Sequence, residues 1–170
     1  MKKLLLLSLG AILTICSCIN KTNKPVDPAV KNSFTATVDG VPETFNFKDS
    51  IRTIGTRGIY ITGANETTSD KIMLFLSGNS LGTGTYSSAA GGLQMFYGAG
   101  PGYTFDNYYF TYDSSSVATV KLTSIDSTGV KGTFSGSVVL EASVISSGSR
   151  PIKTITDGKF DLTLKATTTR

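Results

Sequence analysis

Three features of the chain predict an all-β, antiparallel fold. Apolar residues alternate with polar ones at period two, glycine and β-branched residues run throughout, and turn signals recur between the apolar runs. Beyond the N-terminal leader no stretch carries a helical stripe, so no substantial helix is expected. The expected architecture is an antiparallel β-sandwich of about ten strands, with a closed, lipocalin-like antiparallel β-barrel as the alternative. A length of 170 residues suits one domain with a sizeable core.

The elements follow in order. Phe34, Ala36 and Val38 alternate with Thr35 and Thr37 to make the first strand. Asp39-Gly40 is a hairpin turn pair, and the return strand over 41–47 carries Pro42, which suits a sheet edge. Residues 59–62 and 71–76 are the next strands; the second is apolar on both faces and is expected to lie centrally. A turn at 82–84 feeds a short strand to Tyr86, and strands over 93–97 and 108–112 come next. Strands over 117–125 and 130–142 flank the tight turn Asp126-Ser127-Thr128-Gly129. The last strand covers 152–166, where Phe160, Leu162 and Leu164 alternate with Asp161, Thr163 and Lys165.

The first residues are set apart from this pattern. Lys2 and Lys3 precede an uncharged apolar run over 4–15, the length of a signal-peptide core and too short to span a bilayer. Ile15-Cys16-Ser17-Cys18 follows, with an aliphatic residue three places before Cys18 and a small one just before it. This resembles the bacterial lipoprotein signal, in which the cysteine becomes the lipidated first residue of the mature chain. The expected organisation is a signal peptide over 1–17, a lipidated Cys18 with a polar, proline-containing tether over 18–32, and a single β domain over 33–170. Cys16 would leave with the leader and Cys18 would be acylated, so the mature domain would hold no disulfide and would stand on packing alone. Losing Lys2 and Lys3 lowers the formal charge from +4 to +2, too little to point to a nucleic-acid partner.

Composition narrows the chemistry further. The chain has no histidine, which removes the commonest general base and the commonest metal ligand. There is no Ser-x-x-Lys pair, and no histidine to serve a nucleophilic serine. Most carboxylates stand beside Gly, Ser or Asn, where turns use them; Asp113 and Glu141 are the least turn-like or the closest to aromatics. A carboxylate-based hydrolase would need two of them to converge, and is a remote alternative. Oxygen ligands from Asp106, Asn107 and Asp113 are the best that a calcium site could assemble, and neither a metal nor another cofactor is expected. Gly98-Ala99-Gly100-Pro101-Gly102 is a loop and not a phosphate cradle, because Pro101 lacks an N–H.

One segment rises above this background. Residues 96–112 hold five of the seven tyrosines around a glycine-rich loop. Rigid rings that pack on C–H patches and hydrogen-bond through their hydroxyls suit a glycan- or peptide-binding surface. Alternation puts Tyr108, Phe110 and Tyr112 on one face of their strand and Tyr109 on the other. The ligand-binding candidates are Tyr97, Tyr103 and Tyr109, with Phe110 assigned to the core; the plainer reading is a set of ordinary strand aromatics.

Several short motifs add a resemblance. Phe34-Thr35-Ala36-Thr37-Val38-Asp39-Gly40, Ile61-Thr62-Gly63, Gly84-Thr85-Tyr86, Gly132-Thr133-Phe134 and Ile155-Thr156-Asp157-Gly158-Lys159-Phe160 occur in this order. Loosely, over residues 34–164, the chain resembles small envelope lipoproteins of Bacteroidetes grouped only as domains of unknown function. The resemblance implies an all-β, lipid-anchored envelope protein and brings no catalytic residue. Asp49-Ser50-Ile51 and Asp126-Ser127-Thr128 resemble the three-residue O-glycosylation signal of such proteins, which would make Ser50 and Ser127 acceptors. The expected place is the bacterial envelope, at the outer membrane. In some of the lipoproteins it resembles, acidic residues right after the cysteine direct export to the cell surface. Here Lys21 and Lys24, and no acid before Asp27, follow Cys18, so the resemblance implies the periplasmic face over the surface. The expected role is binding of a glycan, a peptide or an envelope protein, with a structural subunit of an outer-membrane complex as the rival.

Overall fold

The computed structural model describes residues 32–45, 51–54, 58–78, 80–102, 107–145 and 150–163. The leader, Cys18 and the tether as far as Lys31 lie outside them. Among the described residues there are eleven strands: β1 (Ser33–Val38), β2 (Val41–Thr44), β3 (Ile51–Ile54), β4 (Gly58–Ala64), β5 (Lys71–Ser77), β6 (Gly84–Ser87), β7 (Leu93–Gly98), β8 (Tyr108–Phe110), β9 (Ala118–Ile125), β10 (Gly129–Leu140) and β11 (Ile152–Thr163). A 3₁₀ turn, Ser88–Ala90, and one helical turn, α1 (Glu141–Ile145), complete the set. The fold is all-β and antiparallel, as alternation predicts.

The strands join one sheet in the order β2-β1-β11-β10-β8-β7-β5-β4-β3, curled into a half-barrel. β10 is where the sheet divides. Its residues 130–136 pair with β9, which carries β6 on its far side, whereas Val139 and Leu140 pair with β8. A register shift between Phe134 and Gly136 lies just before the division. Such an irregularity bends a strand and lets it serve two neighbours.

The inside of the curl is the core. Phe34, Ile61, Ile72, Leu74, Leu76, Met95, Val120, Val138 and Ile155 are sealed from solvent and belong to one cluster. Phe34 meets Phe45, Phe134 and Phe160 at ring separations of 5.4, 5.0 and 6.2 Å. These rings need space that only glycine leaves. A Cβ on Gly158 would stand 2.5 Å from the Phe134 carbonyl oxygen, and one on Gly63 would stand 2.9 Å from the Phe34 ring. The second contact joins β1 to β4, strands far apart in the pairing order, and so brings the two ends of the sheet together.

Other expectations meet mixed outcomes. Pro42 does sit on an edge strand, and β5 is central, between β4 and β7. Only one face of β5 is fully buried, since Met73 and Phe75 remain partly exposed. The strand expected over 130–142 stops at Leu140, where α1 begins, and β3 was not foreseen. Phe110 is not in the core. It pairs with Phe96 on the outer face, because Met95 and Tyr97 on the same β7 strand take the inner one. The inward residue of β8 is Tyr109, which packs against the core.

Candidate functional site

The described surface carries an open groove of about 450 Å³ at the Leu93 end of β7, where the chain runs on from β8. Ser88, Leu93, Gln94, Thr111, Tyr112 and Ser116 are among its walls. Each wall is fixed locally. The Ser87 hydroxyl accepts from the Ala89 N–H and so caps the 3₁₀ turn that presents Ser88, whose own hydroxyl accepts from the Ala118 N–H at 2.9 Å. Thr111 is anchored to Met95 by bonds through its backbone N–H and its hydroxyl. The buried Ser116 hydroxyl accepts from the N–H groups of Tyr112 and Asp113, at 2.7 and 3.0 Å, and folds the chain into a tight turn.

That turn presents Tyr112, 54% exposed. Its ring meets Phe110 edge-on, and the Arg150 guanidinium lies 5.9 Å from its centre. The same guanidinium bonds the Asp113 carboxylate at 2.7 Å. The Ser115 hydroxyl and N–H, and then Arg150, hold the Asp113 carboxyl below its ordinary range. The result is a steady aromatic shelf beside hydroxyl and carboxamide groups, with no cation among the wall residues.

A second constellation lies at the far end of β7. Tyr97 is buried, and its hydroxyl donates to Asp70 Oδ2 at 3.0 Å while the Gly100 N–H donates to Asp70 Oδ1 at 2.6 Å. Burial first, then the charges of Glu43 and Asp70, push the Tyr97 phenol far above its usual range. The Tyr109 ring lies 6.0 Å from that of Tyr97, with the Lys153 ammonium 6.0 Å from the Tyr109 centre. Lys153 bonds Asp39 Oδ2 at 2.7 Å, and Asp39 Oδ1 accepts from the Thr154 N–H. These two bonds lower the Asp39 carboxyl, and the bond to Asp39 raises Lys153. Burial, reinforced by the charge of Asp70, raises the Glu43 carboxyl.

The structure therefore brings Tyr97 and Tyr109 together, but not as an open platform. Tyr97 is a core residue, because alternation along β7 turns it inward with Leu93 and Met95. Tyr103 lies outside the described residues, as do Cys18, Ser50 and Asp106. Ser127 is exposed in its turn, where the Asp126 carboxylate accepts from the N–H groups of Thr128 and Gly129. Asp113 is a turn residue whose carboxylate accepts from the Ser115 N–H, and Glu141 opens α1 far from it in the chain. Among the described residues no three acidic side chains gather as a metal would need.

Sequence reasoning passed over Tyr112 in favour of its neighbours. The available signal was the Asp113-Ser114-Ser115-Ser116 turn directly after it, which ends the strand and leaves the last ring outside. Glu43 was passed over too, although alternation with Phe45 marks it as inward-facing. Fold and groove together define an all-β half-barrel module with a polar, aromatic-edged surface site. No family model, curated protein or solved structure matches the chain.

Proposed function

We propose that this chain is an envelope lipoprotein, anchored through acylated Cys18, whose β domain is a non-catalytic carbohydrate-binding module using the Tyr112 groove. The observation that carries the reading is the exposed Tyr112 ring, held between Phe110 and Arg150 beside the groups of Gln94, Ser114 and Thr111. A sugar offers C–H faces for such a ring and hydroxyls for such neighbours. With Asp113 already bonded to Arg150, the walls favour a neutral glycan over an anionic one. The anchor rests on Lys2, Lys3, the apolar run and Ile15-Cys16-Ser17-Cys18. The exposed turn at Ser127 is proposed as an O-glycan acceptor.

The test is a thermal-shift screen of the full chain in detergent against neutral, amino and acidic polysaccharide fragments, with Tyr112→Ala in parallel. A ligand at a hundredfold its Kd adds about 2.7 kcal/mol of stability. A shift from neutral sugars that Tyr112→Ala abolishes supports the reading; a shift that survives Tyr112→Ala, or none at all, sinks it. The second reading is docking to another envelope protein through the outer face of β4, β5, β7 and β8. It is favoured by the partly exposed stacked pairs Tyr60–Phe75 and Phe96–Tyr108, at 4.5 and 5.7 Å.

A further inference from the structure

Among the described residues, β2 ends the strand order and is hydrogen-bonded within the sheet only to β1. Glu43 lies at its middle, paired with buried Ala36, so its side chain turns into the curl. One oxygen, Oε2, is shut away from solvent with no hydrogen-bond partner. Asn65, in the turn between β4 and β5, lies beside the carboxyl group and tends to lower it, against the burial and the Asp70 charge that raise it. The Tyr97 hydroxyl and the Gly100 N–H donate to Asp70, and the Lys153 ammonium bonds Asp39.

Charge makes the position tense. Asp70 faces Glu43 from the β4–β5 turn, Asp39 stands at the β1–β2 turn, and Lys153 projects from β11. Buried Tyr97 on β7 and Tyr109 on β8, whose ring centre lies 6.0 Å from the Lys153 ammonium, also border this cluster. Among the described residues an ionised Glu43 would join Asp70 and Asp39 around the Lys153 ammonium, with one oxygen buried and unbonded. A protonated Glu43 removes one of those charges and the cost of burying it.

We propose that Glu43 is a proton-operated latch: as the acid it seats β2 against the β4–β5 turn, and on ionisation it lets that edge strand lift. The contact it secures is real packing. The Cβ of Phe45, just past β2, stands 3.1 Å from where a Cβ on Gly63 of β4 would begin. Burial and Asp70 both hold the Glu43 carboxyl above its ordinary range, in keeping with the latch. The sign follows from linkage. An acid whose folded value is raised stabilises closure fully below the ordinary carboxylate range. That contribution is lost as pH rises through the raised value, by up to about tenfold in the closing equilibrium per pH unit.

The experiment is hydrogen exchange on the full chain from pH 5 to 8, read as protection factors so that the intrinsic pH dependence of exchange is removed. The reporter is the Phe45 amide, which donates to the Phe34 carbonyl at 2.8 Å. In the wild type its protection should fall with pH by up to about tenfold per unit, while β5 amides hold theirs. Glu43→Gln should make the Phe45 profile flat, and Asp70→Asn should shrink the fall. A carboxyl NMR titration of the wild type should place Glu43 above the ordinary range. Equal pH profiles in wild type and Glu43→Gln would overturn the latch. So would a Glu43 titration at or below the ordinary range, a result that needs no variant to fold.

Discussion

Phe96 and Tyr97 are neighbours in the chain yet meet different surroundings. Phe96 stacks with Tyr108 on the outer face, while Tyr97 is sealed inside and bonded to Asp70. Tyr97→Phe would leave Asp70 Oδ2 without that donor and should cost about 1 kcal/mol in urea denaturation. At Tyr112 the expected pattern is the reverse. The ring is largely exposed, so Tyr112→Ala should change stability by less than about 1 kcal/mol. It should weaken sugar binding at least about tenfold, as loss of a central aromatic contact does. Glycine is the third kind of position. Gly158→Ala drives a Cβ into the Phe134 carbonyl and ring, and should destabilise by about 2–3 kcal/mol in the same denaturation assay.

At the scale of elements, the β1–β2 hairpin shows how local chemistry and long-range contact divide the work. Asp39 and Gly40 have φ values of 49° and 82°, the paired positive values that a tight hairpin turn requires. The same Asp39 then fastens the turn to β11 through Lys153 and the Thr154 N–H. Its carboxyl is lowered, so the stability it supplies is present above the ordinary carboxylate value and is lost as pH falls through the lowered one. Asp39→Asn should therefore flatten the acid side of the thermal-stability profile, read as Tm against pH below the ordinary carboxylate range. The hairpin was legible because Asp-Gly is a local signal. β3 was not, since Ile-Arg-Thr-Ile is four residues long and lacks alternation. α1 was hidden for a related reason. Glu141-Ala142-Ser143-Val144-Ile145 is one turn long and ends in β-branched residues, and the Ser143 hydroxyl bonds the Leu140 carbonyl where the strand gives way.

Across the whole molecule, the proposed anchor and the proposed binding module call for separate tests. Cys18→Ser should move the chain from the membrane fraction to the soluble one without altering the Tm of the β domain, measured by calorimetry. The all-β class, the places of most strands and turns, and the inward set Phe34, Ala36, Val38, Phe160 and Leu162 were determined by the sequence alone. They depend on period two and on turn residues, which act over a few positions. Even the short motifs have a structural meaning, since Phe34, Gly63, Phe134, Gly158 and Phe160 meet in one aromatic cluster. Only the tertiary structure decided which strands pair, that β10 serves both β9 and β8, and that the sheet curls until β1 meets β4. It also decided that Tyr97 lies inside, that Tyr112, beside Arg150, edges a groove, and that Glu43 faces Asp70. Alternation says which residues share a face, but strand partners are chosen by contacts between residues far apart in the chain, which no local pattern records.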